Sequence, residues 1–197
     1  MLTIEKYCQI SLGECRVNGN IVFRSDAETV KEFLRDLYQA ARIDYPKFFK
    51  MDRLAKAGFL ASEFLLAGEV LDDGQRIGLF LANSSASLDT DRRYQETIGE
   101  AYFPSPSLFV YTLPNIVLGE ICIRHKIYGE NIFFVSREFP VGFLCRYTET
   151  VFETNDLDRA LVGWLECCEN KCEVKMVWVK RFGTGPIFNE TNINALK

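Results

Sequence analysis

Ile77-Gly78-Leu79-Phe80-Leu81-Ala82-Asn83-Ser84-Ser85-Ala86-Ser87-Leu88 decides the reading of this chain. Ile77 to Ala82 is short, wholly apolar and bounded by Asp73-Gly74 and Asn83-Ser84. Such a segment predicts a strand covered on both faces. The run Ser84-Ser85-Ala86-Ser87 follows it. Small hydroxyl residues there let a loop turn tightly or donate hydrogen bonds to a carbonyl or phosphate. Buried strands of this kind belong to sheets with helices on both faces, so helices are sought on either side.

They are found. Asp52 predicts an N-cap for a helix running from Arg53 to about Ala67 and stopping near Gly68. Its apolar residues, including Leu54, Ala57, Phe59, Leu60, Phe64 and Leu65, occupy most of its circumference, so it is buried on more than one side. Upstream, Ser25 and Glu28 fit a capping box, and Val30, Phe33, Leu34, Leu37, Tyr38 and Ala41 follow one helix face. Downstream, Asp91–Ile98 reads as a short charged helix and Leu113–Ile127 as a strong apolar one, with Pro114 in its first turn and Gly129 ending the element. Gly119 within it costs about 1 kcal/mol against alanine in an exposed helix, which predicts close backbone packing. Val141–Phe152 is another helix, with Pro140 near its start.

Strands are expected at Thr3–Ile10, Ile77–Ala82, Ile132–Val135, Arg159–Leu165 and Val174–Lys180, with turns at Gly13 and Asn18-Gly19-Asn20. The last two strands are close in sequence and should be antiparallel. The expected architecture is therefore α/β: three layers, α/β/α, on a mixed, largely parallel five-stranded sheet. One domain is expected over residues 1–182. Residues 183–197, from Gly183-Thr184-Gly185-Pro186 onward, are expected to form a C-terminal tail that is flexible or partner-dependent.

Composition excludes several functions. The 197 residues carry a formal charge of −4 and no Lys/Arg block, which argues against a nucleic-acid surface. No apolar stretch approaches the roughly 20 residues of a membrane span. Met1-Leu2-Thr3-Ile4-Glu5-Lys6 is not a signal peptide, so a cytoplasmic protein is expected. Seven cysteines without a CxxC pair point to buried thiols and a Cys-rich turn (Cys167, Cys168, Cys172) rather than a disulfide framework or a metal site. No GxxxxGK[ST], GxSxG or GxGxxG motif is present, and no cofactor or metal is expected. Phe103-Pro104-Ser105-Pro106 reads as a loop whose geometry proline sets.

Three stretches, in order, resemble β-ketoacyl synthases of the thiolase-like superfamily. They are Tyr45-Pro46-Lys47-Phe48-Phe49-Lys50-Met51-Asp52, the Ile77–Leu88 strand and loop, and Tyr111-Thr112-Leu113-Pro114-Asn115 through Gly129-Glu130-Asn131. Asp158-Arg159-Ala160-Leu161-Val162-Gly163 looks like the strand that follows the family's nucleophile helix. The resemblance spans roughly residues 45–165 and implies an N-terminal ketosynthase half. In that family the turn after the nucleophile strand carries a cysteine at a helix N-terminus, where the helix dipole stabilises a thiolate. Here that turn is Val135-Ser136-Arg137-Glu138-Phe139-Pro140, and Glu138 occupies the nucleophile's place. Ser136, Arg137, Glu138 and Phe139 are the candidate pocket. Cys145 lies seven residues further on, where a buried thiol is expected. The single histidine, His125, matches neither catalytic histidine of the family and reads as a helix-surface residue.

The resemblance thus implies a degenerate, chain-length-factor-like member without a confident catalytic residue. Its expected role is a non-catalytic subunit in bacterial fatty-acid, polyketide or aryl-polyene biosynthesis that shapes acyl-chain length. A complete ketosynthase or a second copy is the implied partner, with an acyl carrier protein as a further one. The implied interface is the Asn131–Val135 strand and the Pro114–Lys126 helix, with Pro114, Asn115, Asn131, Ile132, Phe133 and Phe134 as its candidate residues. Two alternatives stay open: an enzyme of another type using Glu138 as a base, and a small acyl-ligand binding protein.

Overall fold

The computed structural model describes residues 1–71, 74–99 and 103–196. Asp73, in the turn before the buried strand, lies outside them. The strands are β1 (Leu2–Ser11), β2 (Glu14–Val17), β3 (Asn20–Arg24), β4 (Ile77–Asn83), β5 (Asn131–Val135), β6 (Arg159–Cys168) and β7 (Lys171–Arg181). The helices are α1 (Val30–Ala40), α2 (Arg53–Leu66), α3 (Leu88–Thr97), the single turn α4 (Pro106–Phe109), α5 (Ile116–His125), α6 (Val141–Thr154) and α7 (Glu190–Ala195). The sheet order is β3-β2-β1-β7-β6-β4-β5.

The α/β class and the layers hold, but the sheet has seven strands rather than five and is mostly antiparallel. Only β4 with β5 and β4 with β6 pair in parallel. The remaining pairs are antiparallel, including β6 with β7 as expected. The two missed strands flank turns the sequence does show: Gly13 (φ +90), and Asn18 and Gly19 (φ +51 and +78). These left-handed residues reverse the chain in two-residue connections. The flanking strands are short and not fully buried, so they lack the apolar alternation that marks a strand.

Apolar residues segregate to the two sheet faces. On one, α1, α2 and α5 pack over Leu79, Leu81, Leu161, Leu165, Met176 and Trp178. On the other, α6 and α7 cover Phe80, Ala82, Ala160, Val162, Val177 and Val179. This alternation along β4, β6 and β7 is the two-residue period of a strand buried on both sides. Asp52 caps α2 as expected, accepting from the Ala55 N–H at 2.8 Å. α2 crosses its neighbours closely: a Cβ at Gly58 would stand 2.5 Å from both Leu165 Cδ2 and Val117 Cγ2.

Several expected boundaries move. Thr29 and Glu32, not Ser25 and Glu28, start α1: Thr29 Oγ1 accepts from the Glu32 N–H at 3.2 Å and donates to its carboxylate at 2.9 Å. The Ser/Thr-x-x-Glu pattern occurs twice, and the helix begins where Val30 is the first residue to be buried. α5 starts at Ile116, leaving Pro114 outside it, and ends where Lys126 turns left-handed (φ +54), three residues before Gly129. Gly119 marks no close packing: nothing lies within 4 Å of a Cβ placed there.

The segment after Lys180 packs against β1 and the sheet. Ile4 N–H donates to Pro186 O at 2.8 Å and Phe188 N–H to Leu2 O at 2.9 Å. Phe188 and Ile193 are buried beneath α6 and the sheet. The apolar contacts are few and widely spaced, so no periodicity announces them.

Gly163 pairs directly with Met176, and a Cβ there would sit 2.4 Å from Lys175 O and 2.7 Å from Met176 Cα. Gly163→Val is therefore expected to destabilise the protein by about 3 kcal/mol. The denaturant midpoint measures this; an unchanged midpoint would show that the two strands separate easily.

Candidate functional site

The parallel core is where a site is geometrically possible. From β4 the chain crosses one sheet face through α5 to β5, then returns over the opposite face through α6 to β6. β4 is thus a switch point, and the crevice beyond the carboxyl ends of such strands is where open α/β sheets bind ligands. Two loops meet there: Ser84–Ser87 after β4 and Ser136–Pro140 after β5. Ser136 N–H donates to Asn83 O at 2.8 Å and so extends the β4–β5 pairing.

The first loop is held from within. Asn83 is fully buried; its side-chain amide donates to Ala86 O at 2.8 Å, and its Oδ1 accepts from the Ala86 N–H at 2.9 Å. Ala86 takes φ +48 under this clamp. Glu166, buried on β6, accepts from the Ser84 N–H at 2.8 Å and the Ser85 N–H at 3.3 Å, and from both serine hydroxyls. Burial alone would raise the Glu166 carboxyl, but these donors outweigh it and hold the pKa below the ordinary glutamate value. Ser87 donates to Thr112 O at 2.6 Å. The serines therefore form a tight, self-bonded loop. Glu166 was missed in the sequence; its one signal was a carboxylate inside the apolar strand that β6 became.

The second loop holds the four residues of the expected pocket. Arg137 and Glu138 are exposed, while Ser136 and Phe139 are half-buried. Phe139 packs toward Trp164 with ring centroids 5.8 Å apart. Pro140 stands at the N-cap of α6 without a side-chain cap, and Glu138 points no hydrogen bond or ion pair at any described residue. The surface clefts described here are lined by other residues. Cys145 is buried in α6, and burial, helped by Glu149 and Glu190, pushes its thiol up to about 12, which suits an inert core thiol. His125 is not a free surface residue: its Nε2 lies 3.2 Å from Ser62 Oγ and 3.3 Å from Glu63 Oε1, joining α5 to α2. Burial lowers its pKa; Glu63 opposes this and Arg124 adds to it.

β5 ends the sheet, and among the described residues its outer edge is unpaired. Such an edge is a ready template for another chain. Phe133 packs toward α5, while Ile132 and Phe134 face α6. Phe134 meets Phe143 edge-on at 4.9 Å and Tyr147 at 5.1 Å, and Phe143 remains 43% exposed. Val135 is 58% exposed, and α5 shows Ile123 at 64%. Of the expected interface residues, Asn115 and Asn131 are exposed; Pro114, Ile132, Phe133 and Phe134 are half-buried. Phe143 was missed, because an apolar residue on a helix looks the same in sequence whichever way it faces. The outward face of α6 differs: Arg146, Glu149, Thr150 and Glu153 are exposed.

Solved structures resemble this arrangement over nearly all of the chain. The ishigamide ketosynthase/chain length factor superposes with a TM-score of 0.66 at 16% identity, covering 92% of this chain and 62% of that one. A chain of the ketosynthase (ApeO) in complex with its chain length factor (ApeC) from Xenorhabdus doucetiae gives 0.61 at 12% identity, covering 94% and 81%. The fold is thiolase-like. A third thiolase-like match is AntDE:AntF, a type II polyketide synthase acyl-carrier protein in complex with its ketosynthase, with 0.66, 12% identity and coverage of 92% and 62%. The chain spans 62% of the length of the ishigamide and AntDE:AntF chains it matches. No protein-family model and no curated protein matches the sequence. Among the described residues no single helix is long and apolar enough to cross a membrane.

Proposed function

We propose that this protein is a non-catalytic, ketosynthase-like subunit that pairs with a complete ketosynthase and takes part in setting acyl-chain length. The observation that carries this reading is the open β5 edge, flanked by exposed Ile123, Val135 and Phe143. Exposed apolar side chains beside an unpaired strand are costly to leave in water and fit a protein partner. Glu138 in place of the nucleophile, exposed and without a hydrogen bond or ion pair to a described residue, supports a role without chemistry of its own. The neighbours are ketosynthases, chain length factors and a carrier-protein complex, which supports bacterial fatty-acid, polyketide or aryl-polyene synthesis in the cytoplasm, with an acyl carrier protein as a third component.

The polar outward face of α6 argues against a second sheet stacking there. A self-dimer through that face is thus disfavoured, and partnership through the β5 edge is favoured. Co-expression with a full-length ketosynthase encoded beside this gene, followed by light scattering of the purified product, tests the reading. A one-to-one complex is expected. A monomer or homodimer that ignores every such ketosynthase would overturn it.

A further inference from the structure

A trough on the α1–α2 side of the molecule is unrelated to the β5 edge and to the strand-end loops. Its first compartment, about 390 Å³, is walled by Lys31, Lys50, Arg53, Lys56 and Arg93, with Asp52 the one carboxylate among its lining residues. A second compartment of about 430 Å³ shares Lys31, Phe49 and Lys56 with the first and adds Thr29, Arg35, the carboxylate Glu32 and the face of Phe48. These are the dimensions of a small-ligand site.

Three of the five cations in the first compartment form no ion pair within the described residues. Arg53 pairs with Asp89 at 2.5 Å, but Lys31, Lys50 and Arg93 form no ion pair with a described residue. Lys56 lies 5.5 Å over the Phe48 ring. Asp52, whose oxygens accept from the Ala55 N–H and the Thr90 hydroxyl, both at 2.8 Å, is one carboxylate against five cations and offsets only part of their charge. Burial lowers the Lys56 pKa, Asp52 opposes this, and Arg93, Lys31 and Arg53 lower it further. Positive charges crowded in a concave, partly desolvated place create a strong local potential for an anion. Phe49 stands on the divide between the compartments; its ring meets Tyr38 and Phe48 edge-on at 5.3 and 5.6 Å, yet it stays 57% exposed.

We propose that this trough binds a small phosphate ester, its phosphate among Lys31, Lys56 and Arg93 and its apolar or aromatic portion against Phe49. Convergence on one cleft, rather than a spread over a flat face, favours a small anion over an acidic protein surface. The site deepens no part of the pairing reading and contains no residue of β5, so either can fail alone.

Calorimetry on the whole protein near neutral pH, with 1-naphthyl phosphate, pyrophosphate, 1-naphthol and poly-L-glutamate as probes, tests it. Naphthyl phosphate should bind one-to-one with Kd below about 1 mM. Lys56→Gln with Arg93→Gln should weaken both phosphate probes by about tenfold or more, at 1.4 kcal/mol per factor of ten. Phe49→Ala should weaken naphthyl phosphate and spare pyrophosphate. Arg93→Gln alone, at an exposed position, keeps the test valid if the double variant does not fold. Absence of saturation, unchanged affinity in the variants, or equal binding of neutral naphthol would overturn the proposal. Tight binding of polyglutamate without phosphate binding would overturn it in favour of an acidic protein partner.

Discussion

Val135→Asp combined with Phe143→Asp is expected to weaken ketosynthase pairing by about a hundredfold or more, because both carboxylates would be buried unpaired against the partner. The two positions lie at the end of β5 and on the adjoining turn of α6, and both are exposed in this chain. The double variant should therefore fold with unchanged helical and strand signal. Two controls give the experiment its direction. Glu149→Lys, on the solvated face of α6, should leave affinity unchanged. Glu138→Gln should also leave it unchanged, because this side chain has no described partner and only a catalytic role would make it matter. Affinity measured by surface plasmon resonance that survives the double variant, or falls with Glu149→Lys, would move the interface off the β5 edge.

Glu166→Leu is expected to cost about 2 kcal/mol, since it removes the acceptor shared by the amides and hydroxyls of Ser84 and Ser85. Glu166→Gln should cost less, because one side-chain oxygen still accepts. The pH dependence has a definite sign. Glu166 titrates below its ordinary value when folded, so its stabilisation is complete above the unfolded glutamate pKa of about 4.3 and is lost as pH falls through the lower folded value. The wild-type protein should therefore lose more stability between pH 6 and strongly acidic solution than Glu166→Gln does. Urea unfolding across that range decides it: parallel pH profiles for the two proteins would mean the carboxylate is not held down by its serine donors.

The residues involved show what could be read in advance. β4 announced itself because each of its residues from Ile77 to Ala82 is apolar, and a strand covered on both faces needs that composition. α2 announced itself through Asp52 and a surplus of apolar positions. The β2–β3 hairpin did not, since these short strands near the sheet's edge bury too little to acquire a pattern. The last segment did not either: Phe188 and Ile193 dock singly, and a single apolar residue has no period.

For the candidate site the division is sharper. Chain order alone placed Glu138 in the turn after β5, because the motifs on either side count to it. Its exposure depends on how that turn leaves the sheet, which local residue types do not specify. Likewise Ile132, Phe133 and Phe134 marked an apolar strand, but only the sheet order makes it an edge. The amino-acid sequence by itself determined the α/β class, the buried central strand, the main helices and the absence of a cysteine from the turn after β5. These are local properties, written in periodicity, capping and composition. The tertiary structure alone decided the antiparallel majority of the sheet, the Glu166 clasp on Ser84 and Ser85, the free edge of β5 and the gathering of Lys31, Lys56 and Arg93. Each of these joins residues far apart along the chain, and no local physical preference encodes which distant segments will meet.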